Sequence, residues 1–184
     1  MTTPITHCRL CGSVALETVW DLGEPWVIDY RLDRLDGLKA PLVVVMCGAC
    51  RLAQLSHTVD RDLMYRNYYY RSGVSETMRA ALREVAVSTL RDLVGPLSRV
   101  KPILLLDAGA NDGTLLQNFK AYSPAPIRTI GVEPARNITP AGSDMTVRDY
   151  FSYEAVAFLG LDRSVDIVTS IAMFYDVDDP ARFI

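Results

Sequence analysis

The sequence predicts a mixed α/β chain in two parts, a small β module built around four thiols and then the beginning of a parallel-sheet nucleotide-binding fold. Two C-x-x-C pairs, Cys8/Cys11 and Cys47/Cys50, use every cysteine in the chain. A continuous apolar run, Ile103-Leu-Leu-Leu-Asp107-Ala, enters a glycine-bearing loop and then a helical pattern, which is how a buried parallel strand opens a βαβ unit. A second apolar strand, Arg128-Thr-Ile-Gly-Val-Glu133, ends in an acid 20 residues after Gly113.

The chain has 184 residues, 49% hydrophobic and 22% charged, an ordinary globular composition with room for one medium domain or two small ones. Its formal net charge is -3 and its basic residues are scattered, so the electrostatic footprint of a nucleic-acid partner is missing. The first residues lack the charged and apolar regions of a leader peptide, and no apolar stretch approaches the roughly 18 residues that span a membrane. A cytoplasmic protein is the default expectation. All cysteines precede residue 51 and a helical pattern starts near Ser75, which places a boundary at about 72 to 76 and divides the chain into 1–74 and 75–184.

In a C-x-x-C turn both sulfurs reach one ion about 2.3 Å away, and two such turns supply the four thiolates of a tetrahedral zinc site. Cys8, Cys11, Cys47 and Cys50 are therefore the candidate metal ligands, with Gly12 and Gly48 suiting the tight turns. Flanking strands are expected at Val14 to Trp20, Leu42 to Met46 and Arg51 to Leu55, the last with Ala53 and Leu55 on one face. This makes a zinc-ribbon-like module. A closed four-thiolate site leaves no open position for water or substrate, so the zinc is expected to be structural. Disulfides, buried free thiols and a redox-active pair are the alternatives. His7 and His57 are not needed by the metal and are expected at the surface.

Tyr65, Tyr68, Tyr69 and Tyr70 place four phenols in six positions before the helix, as an interface filler or with hydroxyls aimed at a ligand. Met78, Leu82, Val85, Val87, Leu90, Leu93 and Val94 then mark an amphipathic helix of about 20 residues, with Ser75 as its N-cap and Gly95-Pro96 as its stop.

The loop Gly109-Ala-Asn111-Asp112-Gly113 is not a dinucleotide fingerprint, because asparagine stands at 111 and threonine at 114 where G-x-G-x-x-G needs glycines. A helix is expected from Thr114 to about Tyr122. Asp107 and Asp112 bracket the loop, and two carboxylates would repel a pyrophosphate on the helix N-terminus. S-adenosylmethionine carries no phosphate and presents a sulfonium and an ammonium, so the same acids favour it. Glu133 is placed to accept hydrogen bonds from both ribose hydroxyls. A third strand ending near Val147 puts Asp149 and Tyr150 where adenine would lie, and a fourth, from Val165, ends at Phe174-Tyr175-Asp176. The candidate cofactor residues are thus Asp107, Gly109, Asn111, Asp112, Gly113, Glu133, Asp149 and Tyr150.

Several strings together resemble the S-adenosylmethionine-dependent nucleotide-sugar C-methyltransferases that carry an N-terminal zinc-binding domain. They are Cys8-x-x-Cys11, Asp21-Leu-Gly-Glu-Pro25, Pro41-Leu before Cys47-x-x-Cys50, Gln54-Leu, Tyr68-x-Tyr70-x-Ser72-Gly73 with Thr77-Met78, Asn111-Asp-Gly-Thr-Leu-Leu116 and Gly131-Val-Glu-Pro-Ala135. The resemblance implies a zinc-ribbon-like module followed by an incomplete Rossmann-like class I methyltransferase domain. It implies methyl transfer to a ring carbon of a keto deoxysugar linked to a nucleoside diphosphate, with a base removing the acidic C–H proton. Tyr68 and Tyr70 are the catalytic candidates within this chain. The resemblance further implies a C-terminal domain whose His-Glu segment supplies the main acid/base, and residues 58 to 184 here contain no histidine. The segment Ala172-Met-Phe-Tyr-Asp176 departs from the Asn-Val-Leu-Ala-His type of many relatives. The chain is therefore expected to be a fragment of a longer enzyme, inactive alone. Its rivals are a non-catalytic zinc- and cofactor-binding product and a zinc-ribbon adaptor.

Overall fold

The computed structural model describes residues 2–27, 38–93, 102–161 and 164–184. It forms two compact units, Met1–Arg66 with Asp176–Ile184, and Asn67–Tyr175.

In the first unit β1 (Thr2–Pro4) pairs antiparallel with β5 (His57–Val59), a small sheet the sequence pattern did not suggest. The expected three strands appear as β2 (Leu16–Asp21), β3 (Val43–Cys47) and β4 (Ala53–Leu55), antiparallel with β3 central. Ala53 and Leu55 do share a face, but it is the exposed one. Gln54 points inward instead, accepting a hydrogen bond from the Arg9 amide at 3.0 Å. The Asp21-Leu-Gly string is a turn, in which Asp21 Oδ1 accepts from the Gly23 amide at 2.8 Å and Gly23 takes φ 74°. That turn pairs with Leu42 through Leu22 N to Leu42 O at 3.0 Å and Leu42 N to Gly23 O at 2.8 Å. A short helix, α1 (Arg61–Tyr65), is capped by Asp60. The closing helix α5 (Pro180–Phe183) is capped by Asp179.

The second unit opens on the tyrosine segment and α2 (Glu76–Leu93). Ser75 Oγ accepts from the Met78 amide at 3.3 Å, the expected N-cap. Leu82, Ala86 and Leu90 are its buried stripe; Val87 is about 40% exposed because it falls on the far side of the helix from Leu82, and Leu93, equally exposed, is the last residue of the helix. The expected stop at Gly95-Pro96, and Val94, lie outside the described residues.

Next come β6 (Ile103–Ala108), α3 (Thr114–Tyr122), β7 (Ile127–Val132), β8 (Met145–Val147), α4 (Tyr153–Ala157) and β9 (Ile167–Ser170). The four strands are parallel in the order β8-β7-β6-β9, a partial Rossmann-like sheet. Leu82, Ala86 and Leu90 pack with Ile103, Leu105, Leu115, Leu116, Phe119 and Ile167 over one sheet face. Leu106, Ala108, Ile130 and Val132 are buried on the other, so β6 and β7 are covered on both sides as parallel strands must be. Successive connections from β6 lead to opposite sides, to β7 and later to β9, and this switch point opens the crevice where α/β sheets bind ligands. Among the described residues no helix is long and apolar enough to cross a membrane.

Candidate zinc centre and candidate cofactor site

The four cysteine sulfurs lie within 4.8 Å of one another, with Cys8 and Cys47 buried and Cys11 and Cys50 exposed. Cys8 to Cys50 and Cys11 to Cys47 are each 3.6 Å, too long for the roughly 2.05 Å of a disulfide and close to the edge of a tetrahedron with bonds of about 2.3 Å. The knuckles share one geometry. Gly12 N donates to Cys8 O at 2.9 Å and Arg51 N to Cys47 O at 3.0 Å, and both of these residues, each directly after the second cysteine of its pair, are left-handed, φ 73° and 66°. The left-handed position in the second knuckle is thus Arg51 and not Gly48, whose amide donates to Ala15 O at 2.8 Å.

Burial pushes the Cys8 thiol up, but the Cys11 and Leu10 amides and the Gln54 side chain bring it down to about 6. Gln54 Nε2 is buried with no hydrogen-bond partner among the described residues, and its side chain lies near enough to the Cys8 sulfur to favour the thiolate. The Cys50 amide lowers Cys47 in the same way. The Leu52 amide favours the Cys50 thiolate, yet burial and the three neighbouring thiols outweigh it and push Cys50 up to about 12. Four sulfurs so close cannot all ionise without a cation among them, and a divalent soft cation removes the conflict. Zinc fits this donor set.

Arg9, between the two ligands of the first knuckle, fixes that knuckle to its surroundings. Its Nη1 donates to Leu55 O at 2.6 Å and its Nη2 to Thr58 Oγ1 at 2.9 Å. Its Nε faces Asp178 at 3.4 Å, and Thr58 Oγ1 donates to the same carboxylate at 2.7 Å. No sequence signal set this arginine apart.

In the second unit the candidate cofactor residues gather at the carboxyl ends of β6 and β7. Glu133 is 5% exposed, with Oε2 accepting from the Asn111 amide and Oε1 from the Ala135 amide, each at 2.7 Å. Burial raises its pKa, while those amides and Arg148 oppose the shift. Asp107 is 3% exposed, accepts from Thr169 Oγ1 at 2.7 Å, and is raised by burial to about 7, with the Glu133 charge adding to the rise.

Asn111 and Asp112 face the tyrosine segment. Asn111, left-handed at φ 49°, accepts from Ser72 N at 2.9 Å and donates to Tyr70 O at 3.0 Å. Asp112 Oδ2 accepts from Gly73 N at 2.7 Å and Oδ1 from Thr114 Oγ1 at 2.7 Å. A β-carbon on Gly73 would stand 2.9 Å from Thr114 Oγ1 and 3.0 Å from Asp112 Oδ2, so a larger residue would push these side chains aside. Asn137, which sequence reasoning did not name, pairs twice with the Tyr68 backbone, at 3.0 and 2.8 Å. These bonds tie residues 68 to 73 to the glycine loop and to Asn137 within the second unit, while Tyr65 belongs to the first. Tyr68 and Tyr70 are half-buried with ring centroids 6.5 Å apart, and Tyr69 between them is exposed.

The two loop glycines differ. A β-carbon on Gly113 (φ 79°) would meet the Ala141 backbone oxygen at 2.0 Å, so its need is internal packing. For Gly109 (φ 76°) the three nearest atoms to such a β-carbon all belong to the Met173 side chain. Asp149 is exposed and accepts from the Tyr150 amide at 2.8 Å, beyond the end of β8.

Residues 8–65 match the family model described as "Putative zinc binding domain", which defines the class of the first module. The chain is also 28% identical over 149 residues to the C-methyltransferase NovU of Streptomyces niveus, a match covering 78% of this chain and 34% of that protein. The resemblance to zinc-domain C-methyltransferases drawn from the motif strings is borne out by both. The chain spans about a third of the length of the curated relative it matches.

Proposed function

We propose that the chain is the zinc module and the first half of the cofactor domain of an S-adenosylmethionine-dependent methyltransferase, acting on a ring carbon of a nucleotide-linked keto deoxysugar. The observation that carries the cofactor reading is Glu133. It is a buried carboxylate at the end of β7, held by the amide of the glycine loop, with one lone pair on each oxygen left to accept a ribose hydroxyl. Asp107 beside it is raised by burial to about 7 and is therefore only partly ionised at neutral pH, and the charge it keeps favours a cationic ligand over a pyrophosphate. The bound cofactor supplies an electrophilic methyl group. The residues of this chain bind and orient: Glu133 holds the ribose, the glycine loop lets the ligand approach the backbone, and Asn111 and Asp112 fix the segment bearing Tyr68 and Tyr70. The zinc module is structural. The sugar acceptor rests on the resemblance to C-methyltransferases.

Titrating the purified chain with S-adenosylhomocysteine, and separately with NAD, tests the cofactor reading. Heat on the first titration and none on the second is expected, and the reverse refutes it.

A further inference from the structure

Two observations at the end of β9 are unexplained by the packing of the second unit. The first is Met173. Its sulfur lies 2.0 Å and its Cγ 2.8 Å from where a β-carbon on Gly109 would stand, so the thioether is laid directly on the glycine that opens the loop. Ala172 just before it has φ 54°, a left-handed conformation uncommon for alanine that persists only where surroundings hold it. The second is Ser170. Its hydroxyl is buried and has no hydrogen-bond partner among the described residues, and the residue is in register with Ala108, one position before Gly109. An orphaned buried hydroxyl at a sheet's switch point is a polar contact awaiting a ligand.

Gly113 shows by contrast what a packing glycine looks like, since fixed backbone of Ala141 fills its space. Over Gly109 the filler is the end of a flexible side chain, and methionine is the most adaptable of these. The space is thus one that the chain can vacate.

We propose that Met173 is a placeholder in the cofactor site. Its side chain occupies the subsite that the methionine moiety of the cofactor takes when bound, and it swings away on binding, leaving the Ser170 hydroxyl to contact the polar end of that moiety. The inference rests on the cofactor reading above. The shapes match, because the methionine side chain and the amino-acid arm of the cofactor share the same two methylenes between an α-carbon and sulfur, and the arm adds the charged groups that the side chain lacks. The placeholder lowers apparent affinity by the fraction of molecules in which the subsite is open. It acts only on ligands that carry the arm.

The experiment uses the full chain, labelled on its methionine methyl groups, with the Met173 resonance assigned from Met173→Leu. S-adenosylhomocysteine is expected to move that resonance, and adenosine, which lacks the arm, to leave it in place. By calorimetry Met173→Ala is expected to bind S-adenosylhomocysteine about three- to tenfold more tightly, with adenosine affinity unchanged. Ser170→Ala is expected to weaken S-adenosylhomocysteine severalfold. If S-adenosylhomocysteine binds, Glu133→Gln weakens it, and yet the Met173 resonance and the Met173→Ala affinity do not change, the placeholder is overturned while the cofactor reading stands. If neither ligand binds the native chain, the cofactor reading falls and the placeholder with it.

Discussion

Replacing Asp107 with asparagine should remove the pH dependence that this residue imposes on the second unit. The native carboxyl lies at about 7 against an ordinary 3.8, raised first by burial and further by Glu133, with the Thr169 hydroxyl opposing. An acid raised on folding contributes stability that is fully present below its unfolded value and lost as pH rises through its folded value. The rise from 3.8 to about 7, at about 1.36 kcal/mol for each pH unit, gives a loss of about 4 kcal/mol between roughly pH 4 and pH 8. Asparagine keeps the shape and an oxygen for Thr169 but has no charge to bury. Asp107→Asn should therefore come closest to the native chain near pH 4 and exceed it by up to about 4 kcal/mol near pH 8. Urea unfolding followed by helix circular dichroism reads this out, since α2 and α3 both belong to the second unit. Trp20 and Trp26, both in the first unit, report the zinc module separately by fluorescence. Identical pH slopes for the two proteins would refute the reasoning.

The purified chain should carry about one zinc per molecule, and Cys47→Ser should unfold the first unit, because structural zinc supplies much of the folding energy of such modules; elemental analysis and tryptophan fluorescence check both. Asp112→Ala removes a charged acceptor from Gly73 and Thr114 and should cost the second unit about 2 to 3 kcal/mol in urea, whereas a loss below about 0.5 kcal/mol would contradict a holding role for these two hydrogen bonds. Glu133→Ala should weaken S-adenosylhomocysteine by about 1 to 3 kcal/mol in calorimetry, and unchanged affinity would remove Glu133 from the site. The 184-residue chain alone should not methylate a nucleotide-linked keto sugar in a radiolabel assay. Turnover that Glu133→Ala abolishes would show that the main base lies within it.

Local features were legible in the sequence because their causes are local. The C-x-x-C spacing, the apolar run of β6, the Thr114 helix start and the Ser75 cap each depend on neighbours a few residues away. What stayed hidden depends on residues far apart in sequence. Asp112 reads as a ligand acid when its charge is considered alone, yet its oxygens meet an amide 39 positions earlier and its own helix start. Gly113 reads as a ligand glycine, but its neighbour is the backbone at 141. The tyrosine string and the Asn-Asp-Gly string were separate signals in sequence, and their hydrogen bonds show why they occur together. Asn137, Arg9 and Met173 carried no pattern at all, since single side chains of common type acquire meaning only from what they touch.

The first unit is discontinuous, and this orders its assembly. Thr58 and Asp178 are 120 residues apart, and closing a flexible loop of that length costs about 4 kcal/mol of chain entropy. The bonds that tie Asp176 to Tyr65 and Asp178 to Arg9 and Thr58 lie at exposed positions and return less than that. The arithmetic changes once residues 67 to 175 have folded, because the loop then shrinks to the span between two fixed ends. The zinc knuckles, complete by residue 50, can thus form early in synthesis, while the docking of residues 176–184 waits for the second unit. A substitution that slows the parallel sheet would therefore leave a metal-loaded first unit with that segment undocked.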